Sequence, residues 1–117
     1  MRLVLFLTLD GAQYYGYIPF FDVGEEDSQR IESYELTEED EDLLDADFIG
    51  PIDRLCDSLI DPRDVDYLNA GQCRLMLGWL EQRLNEPIDP RLETIYRKLV
   101  EFANRAIELD TGIVFVL

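Results

Sequence analysis

The side chains with the densest potential for chemistry lie in YELTEEDEDLLDAD, positions 34–47. Eight of these fourteen residues are carboxylates: Glu35, Glu38, Glu39, Asp40, Glu41, Asp42, Asp45 and Asp47. No base lies among them. Such a group can chelate a hard cation, share a proton between two of its members, or present a negative surface to something basic. An EF-hand loop needs alternating oxygen ligands, glycine at its sixth position and glutamate at its twelfth. Counting from Asp40, Asp42 or Asp45 gives no such pattern. Acid–base catalysis of the glycosidase kind needs two carboxylates in a cleft whose environments split their pKa values. With 26 acids in the chain, no pair is singled out. The third use needs only what is present: a solvated face that aids solubility, or a docking surface for a cationic partner.

A second set, Asp61, Asp64 and Asp66, invites a magnesium reading. It has no phosphate-binding glycine motif beside it, and Asp-Pro is also an ordinary turn former. The chain has no histidine, which removes the commonest general base and the commonest zinc ligand. Cys56 and Cys73 fall inside helical patterns and read as small buried thiols. No histidine can activate them, their spacing matches no secreted disulfide framework, and a reducing compartment suits them. Aromatic residues crowd the approach to the acidic stretch: Tyr14, Tyr15, Tyr17, Phe20, Phe21 and Tyr34. Tyrosine beside carboxylates suits an interface, since its ring fills a pocket while its hydroxyl stays hydrogen-bonded. Phe20 and Phe21 read as core. Trp79 reads as core packing at the edge of a helical face, and Tyr67 suits either a partner or the interior.

The charge is local. Of the net −16, positions 22–47 contribute −12, from thirteen acids against Arg30 alone. Direct nucleic-acid binding is not expected, because phosphate contacts need clusters of Lys or Arg. A length of 117 residues with 47% hydrophobic composition fits one globular domain, residues 1–117, with a modest core.

These residues need elements to hold them. Leu3–Leu7 is a short apolar run that reads as a central strand covered on both faces, not as a leader or a membrane span. Asp10-Gly11 is a turn signal. Residues 14–23 fit a strand returning beside the first, demoted by Gly16 and Pro19 to an edge strand or loop. A short strand fits within 29–36. Thr37 caps a brief helix whose first turn holds Glu38, Glu39 and Asp40, and Leu43, Leu44 and Phe48 dock it. Ile52, Leu55, Cys56, Leu59 and Ile60 recur at helical spacing, and residues 61–68 read as a loop. Asn69 with Gln72 is a capping-box pattern, opening a helix with Cys73, Met76, Leu77, Leu80 and Leu84 on one face. Asp89-Pro90 opens another, with Leu92, Ile95, Tyr96, Leu99, Phe102, Ala103, Ala106 and Ile107 on its face. A five-residue link makes the two an antiparallel hairpin. Residues 113–117 form a final apolar strand. The expected fold is α+β: a small mixed sheet that includes both terminal strands, packed against about three helices.

The run from LCDSLIDPRDVDYLNAGQCRLMLGWLEQRL through IYRKLVEFANRAIELDTGIVFVL, within residues 51–117, resembles small acidic immunity proteins encoded near secreted polymorphic toxins in bacterial genomes. The resemblance implies a cytoplasmic inhibitor that binds and inactivates a cognate toxin, acidic because many such toxins are basic nucleases. It supplies no catalytic residue. The acidic segment itself lies outside the resemblance.

Together these readings predict stoichiometric inhibition of a basic protein partner through Tyr34, Glu35, Glu38, Glu39, Asp40, Asp42, Asp45, Asp47 and Tyr67. No enzymatic activity, cofactor, metal or membrane contact is expected. The rivals are a DNA mimic of the anti-restriction or anti-CRISPR kind, a small aspartate-based enzyme or metal-binding domain, and an acidic adaptor of other function.

Overall fold

A computed structural model describes residues 1–22, 24 and 28–117. Three of the acids counted between positions 22 and 47 (Glu25, Glu26 and Asp27) lie outside the described residues.

The chain runs β1 (Arg2–Phe6), β2 (Gln13–Tyr15), β3 (Ile18–Phe20), β4 (Ile31–Glu35), α1 (Glu38–Asp47), α2 (Ile49–Cys56), β5 (Val65–Asn69), α3 (Ala70–Arg83), α4 (Pro90–Leu109) and β6 (Gly112–Val116). The fold is α+β, and both terminal strands sit in the middle of a four-stranded sheet of order β4-β1-β6-β5. Every pairing in it is antiparallel, so the expectation of a mixed sheet is corrected. The reason lies in the connections. A single crossover helix returns the chain parallel to the strand it left. Here the two helices α3 and α4 separate β5 from β6, and only the β2–β3 segment separates β1 from β4, so no single-helix crossover joins paired strands and each pair is antiparallel. The described residues hold four helices, where about three were expected.

The caps read from sequence all form. Thr37 Oγ1 accepts from the Asp40 amide at 3.1 Å, and Asp40 Oδ2 accepts from the Thr37 amide at 3.0 Å. Asn69 and Gln72 exchange the same pair of bonds, each at 2.9 Å. Asp89 caps α4 ahead of Pro90, and α4 stops where Asp110 turns left-handed at φ 54°.

The apolar run of β1 is covered on both faces. Leu3 and Leu5 share the main core with Leu68, Ile113, Phe115 and the helices. Val4 and Phe6 join Val114 and Phe21 in a smaller cluster on the opposite face. Residues 14–20 do not return beside β1. They form a separate hairpin, β2–β3, in which Tyr15 pairs with Ile18. Gly16 opens its two-residue loop at φ +64°, the conformation a tight hairpin turn demands at that position. Phe21 is buried, but Phe20 is 38% exposed, so only one of the two belongs to the core. The helical spacing read through Ile60 ends at Cys56, where Asp57 adopts φ 52°. Asp53 then organises the turn by accepting from Ser58 Oγ at 2.7 Å and from the Ile60 amide at 2.8 Å. Leu55 and Leu59 are left exposed. Of residues 61–68, expected as loop, 65–68 belong to the edge strand β5 (Val65–Asn69), which runs on to the helix cap Asn69.

Candidate functional site

The acidic stretch folds as α1, and helical geometry sorts its carboxylates into two sets. Glu38, Asp42 and Asp45 stand at i, i+4 and i+7 and share a face. Glu39 flanks them, and all four are exposed. Glu35, at the end of β4, is exposed as well, and Glu41 is half-buried. Asp40, Leu44 and Asp47 stand at the same spacing on the other side, facing the core.

That placement sets Asp40 and Asp47 apart from the other acids of the predicted contact set. Asp40 is 1% exposed. Its carboxylate takes a bidentate pair from Arg91 of α4, Nε to Oδ1 at 2.6 Å and the second guanidinium nitrogen to Oδ2 at 2.7 Å. The Arg91 bond, with the Thr37 amide, holds the acid at about 2, against the opposing effect of burial. Asp47 accepts from Arg83 at 3.0 Å and from the buried Tyr96 hydroxyl at 2.6 Å. Burial works to raise its pKa, and the Arg83 and Tyr96 bonds outweigh it and lower it. Both aspartates are therefore internal ties between α1 and the α3–α4 hairpin.

Tyr34 and Tyr67 do not join the outward acids. In the sheet register Tyr34 is opposite Leu3, whereas Tyr67 is opposite Val114. They occupy opposite faces and opposite edge strands. Tyr34 packs on the main core with the Lys98 ammonium 5.7 Å from its ring centre. Tyr67 is half-buried edge-on to Phe6 at 6.5 Å, and burial pushes its hydroxyl up to about 12. Trp79 packs edge-on against Phe48 and Tyr96, at 5.9 and 5.7 Å, as core packing requires. Cys56 and Cys73 are free, buried thiols, raised by burial to about 11 and about 12.

Two hollows flank this architecture. One, of about 420 Å³, lies at the start of α1 against Glu38, Glu41, Asp42, Arg63 and the chain ends Met1 and Leu117. The other, of about 480 Å³, lies beside β5 and is lined by Tyr17, Asp57, Leu59, Asp66, Tyr67 and Asn69 among others. By sequence Asp66 falls in a loop, grouped with Asp61 and Asp64 in a magnesium reading. It is 2% exposed, and it accepts from the Leu59 amide at 2.8 Å and from the Tyr17 hydroxyl. The Asp66 bond, followed by burial and the nearby charges of Asp66 and Asp64, pushes the Tyr17 hydroxyl up to about 12, so Tyr17 stays protonated and is the donor. The signal available from sequence was the register of β5: Asp66 and Leu68 share the inward face, which a loop assignment hides. Among the described residues no group of three or more His, Cys, Asp or Glu is placed to hold a metal ion. No helix there is long and apolar enough to cross a membrane.

Comparison of the chain with protein-family models, with curated proteins and with solved structures found no match.

Proposed function

We propose that this protein is an inhibitory binding protein that captures a basic protein partner and occludes its active or substrate-binding surface. The resemblance in residues 51–117 makes the partner a cognate toxin domain, and a nuclease fits best because its phosphate-binding cleft is basic. The place of action is then the cytoplasm of the producing cell. One observation carries the reading: Glu38, Glu39, Asp42 and Asp45 project together from α1 beside Glu35, with no base in the segment.

The mechanism has two stages. A concentrated field of one sign draws a cationic surface from a distance and raises association rates by roughly 10 to 10³-fold. Close contact then excludes substrate, with carboxylates standing where phosphates would bind. Helix α1 is a suitable platform because its inner face is fixed. The Asp40–Arg91 and Asp47–Arg83 pairs clamp it to α4 and α3, so the outward carboxylates are held in place before binding.

The DNA-mimic alternative fits less well on charge density. A ten-residue helix spans about 15 Å, over which duplex DNA presents roughly nine charges. Here α1 offers four exposed carboxylates.

The test is rescue in cells. The protein encoded by the adjacent reading frame is expressed alone and together with this chain. Toxicity alone and relief on co-expression support inhibition. A Glu38→Gln, Glu39→Gln, Asp42→Asn, Asp45→Asn variant should lose most of the relief. Equal protection by that variant would place the interface elsewhere.

A further inference from the structure

Among the described residues two carboxylates are buried, Asp40 and Asp66, and Asp47 is half-buried on the inner side of α1. Asp40 and Asp47 are each held by an arginine. Asp66 is not. It is 2% exposed, yet its partners are a backbone amide and a phenol, and among the described residues no lysine or arginine pairs with it. Buried charges are ordinarily matched by an opposite charge, because neutral donors replace only part of the lost hydration. The missing cation has an obvious route of approach. Asp66 lines the hollow of about 480 Å³ beside β5, where the hydroxyl of Tyr17, itself 57% exposed, donates to its Oδ1.

We propose that this hollow is a binding site for a guanidinium group, and that Tyr17 is the gate over it. The incoming group displaces the Tyr17 hydroxyl and donates to the Asp66 carboxylate, while the Leu59 amide keeps the other oxygen in place. The remaining walls suit that chemistry. Tyr17 and Tyr67 are among its lining residues, and aromatic rings accommodate a planar, weakly hydrated guanidinium better than a compact ammonium. Asp57 lines the hollow as a second carboxylate. Release of Tyr17 breaks its charge-assisted bond to Asp66, which the guanidinium replaces, but no sheet pairing, because Tyr17 sits in the exposed loop of the β2–β3 hairpin. The pocket rests on its own geometry. Only the source assigned to the guanidinium, an arginine side chain of the basic partner, rests on the proposed function.

The experiment is a titration of the isolated protein, followed through its backbone amide resonances, with N-acetyl-arginine amide as the probe. Its neutral citrulline counterpart is the control. Saturable movement of the Leu59 and Tyr67 amides by the arginine probe, and none by the citrulline one, is expected. Asp66→Asn keeps an acceptor for Leu59 but removes the charge, and should weaken binding roughly tenfold or more. Tyr17→Phe removes only the competing hydroxyl of an exposed residue, so the fold persists and binding should hold or tighten. Equal shifts from the citrulline probe, an unmoved Leu59 amide, or weaker binding by Tyr17→Phe would overturn the proposal. Butylguanidinium separates the sources. Weaker binding than the blocked arginine assigns the site to a protein side chain, and tighter binding overturns that assignment in favour of a free small molecule. Because no partner protein is present, failure here is distinct from failure of rescue in cells.

Discussion

Asp40 shows how a single carboxylate can change its role once the helix around it is turned to the right angle. By composition it belongs with its neighbours. By position it stands four residues before Leu44 and therefore on the leucine side of α1, as does Asp47 three residues after. This much was legible, since Leu43 and Leu44 were already assigned to the docking face and the spacing puts Asp40 and Asp47 with them. What the sequence could not supply was the partner: Arg91 lies 51 residues away and Arg83 lies 36 away. The consequence is measurable. Asp40 titrates at about 2 in the folded chain, below its usual 3.8. Its contribution is therefore complete above about pH 4 and is lost as pH falls towards 2, on the order of 2 kcal/mol. Asp40→Asn can still accept from the Thr37 amide but abolishes the charge pair. It should cost about 1–3 kcal/mol at neutral pH and flatten the loss of stability between pH 4 and 2. Urea unfolding midpoints across that range check both, and an unchanged acid limb would show that the Arg91 pair adds nothing.

At the level of elements, the helices were read well and the strands less so, for a physical reason. The α3 and α4 boundaries follow from local chemistry: the Asn69–Gln72 box, Asp89-Pro90, and the left-handed Asp110. The edge strand β5 does not. VDYLN follows Asp61-Pro62 and Asp64, which are turn formers, and what makes it a strand is pairing with β6, from Val65 opposite Val116 to Asn69 opposite Gly112. That long-range pairing is absent from any local window. The same pairing explains Gly112, and Gly78 of α3 is its opposite in character. A Cβ at Gly112 would lie 2.3 Å from the Leu68 carbonyl oxygen and 2.5 Å from the Tyr67 ring, so Gly112→Ala must push β5 off β6 and should unfold a large fraction of the protein. Gly78, on the exposed side of α3, has nothing within 4 Å of the same position. Gly78→Ala should stabilise by about 0.5–1 kcal/mol through helix propensity alone. Between them, Leu99→Ala on the fully buried face of α4 should cost about 2–5 kcal/mol. Thermal melts of the three variants give the ranking, and a neutral Gly112→Ala would contradict the register of β5 on β6.

For the molecule as a whole, the net charge of −16 is unfavourable to compactness and favourable to capture of cations, and the fold reconciles the two. The inward acids of α1, Asp40 and Asp47, are paired with arginines of the hairpin, while the outward acids of α1 keep their field. Exposed charges are screened over about 8 Å at physiological ionic strength, so a complex formed through α1 should weaken as salt rises. The measurement that bears hardest on this is the association rate of the protein from the adjacent reading frame with wild type and with the Glu38→Gln, Glu39→Gln, Asp42→Asn, Asp45→Asn variant, followed by stopped flow from low to high salt. Capture by α1 predicts a wild-type rate that falls steeply with salt and a variant at least roughly tenfold slower at low salt, with the two converging at high salt. Equal rates at low salt, insensitive to ionic strength, would mean that the carboxylates of α1 do not recruit the partner.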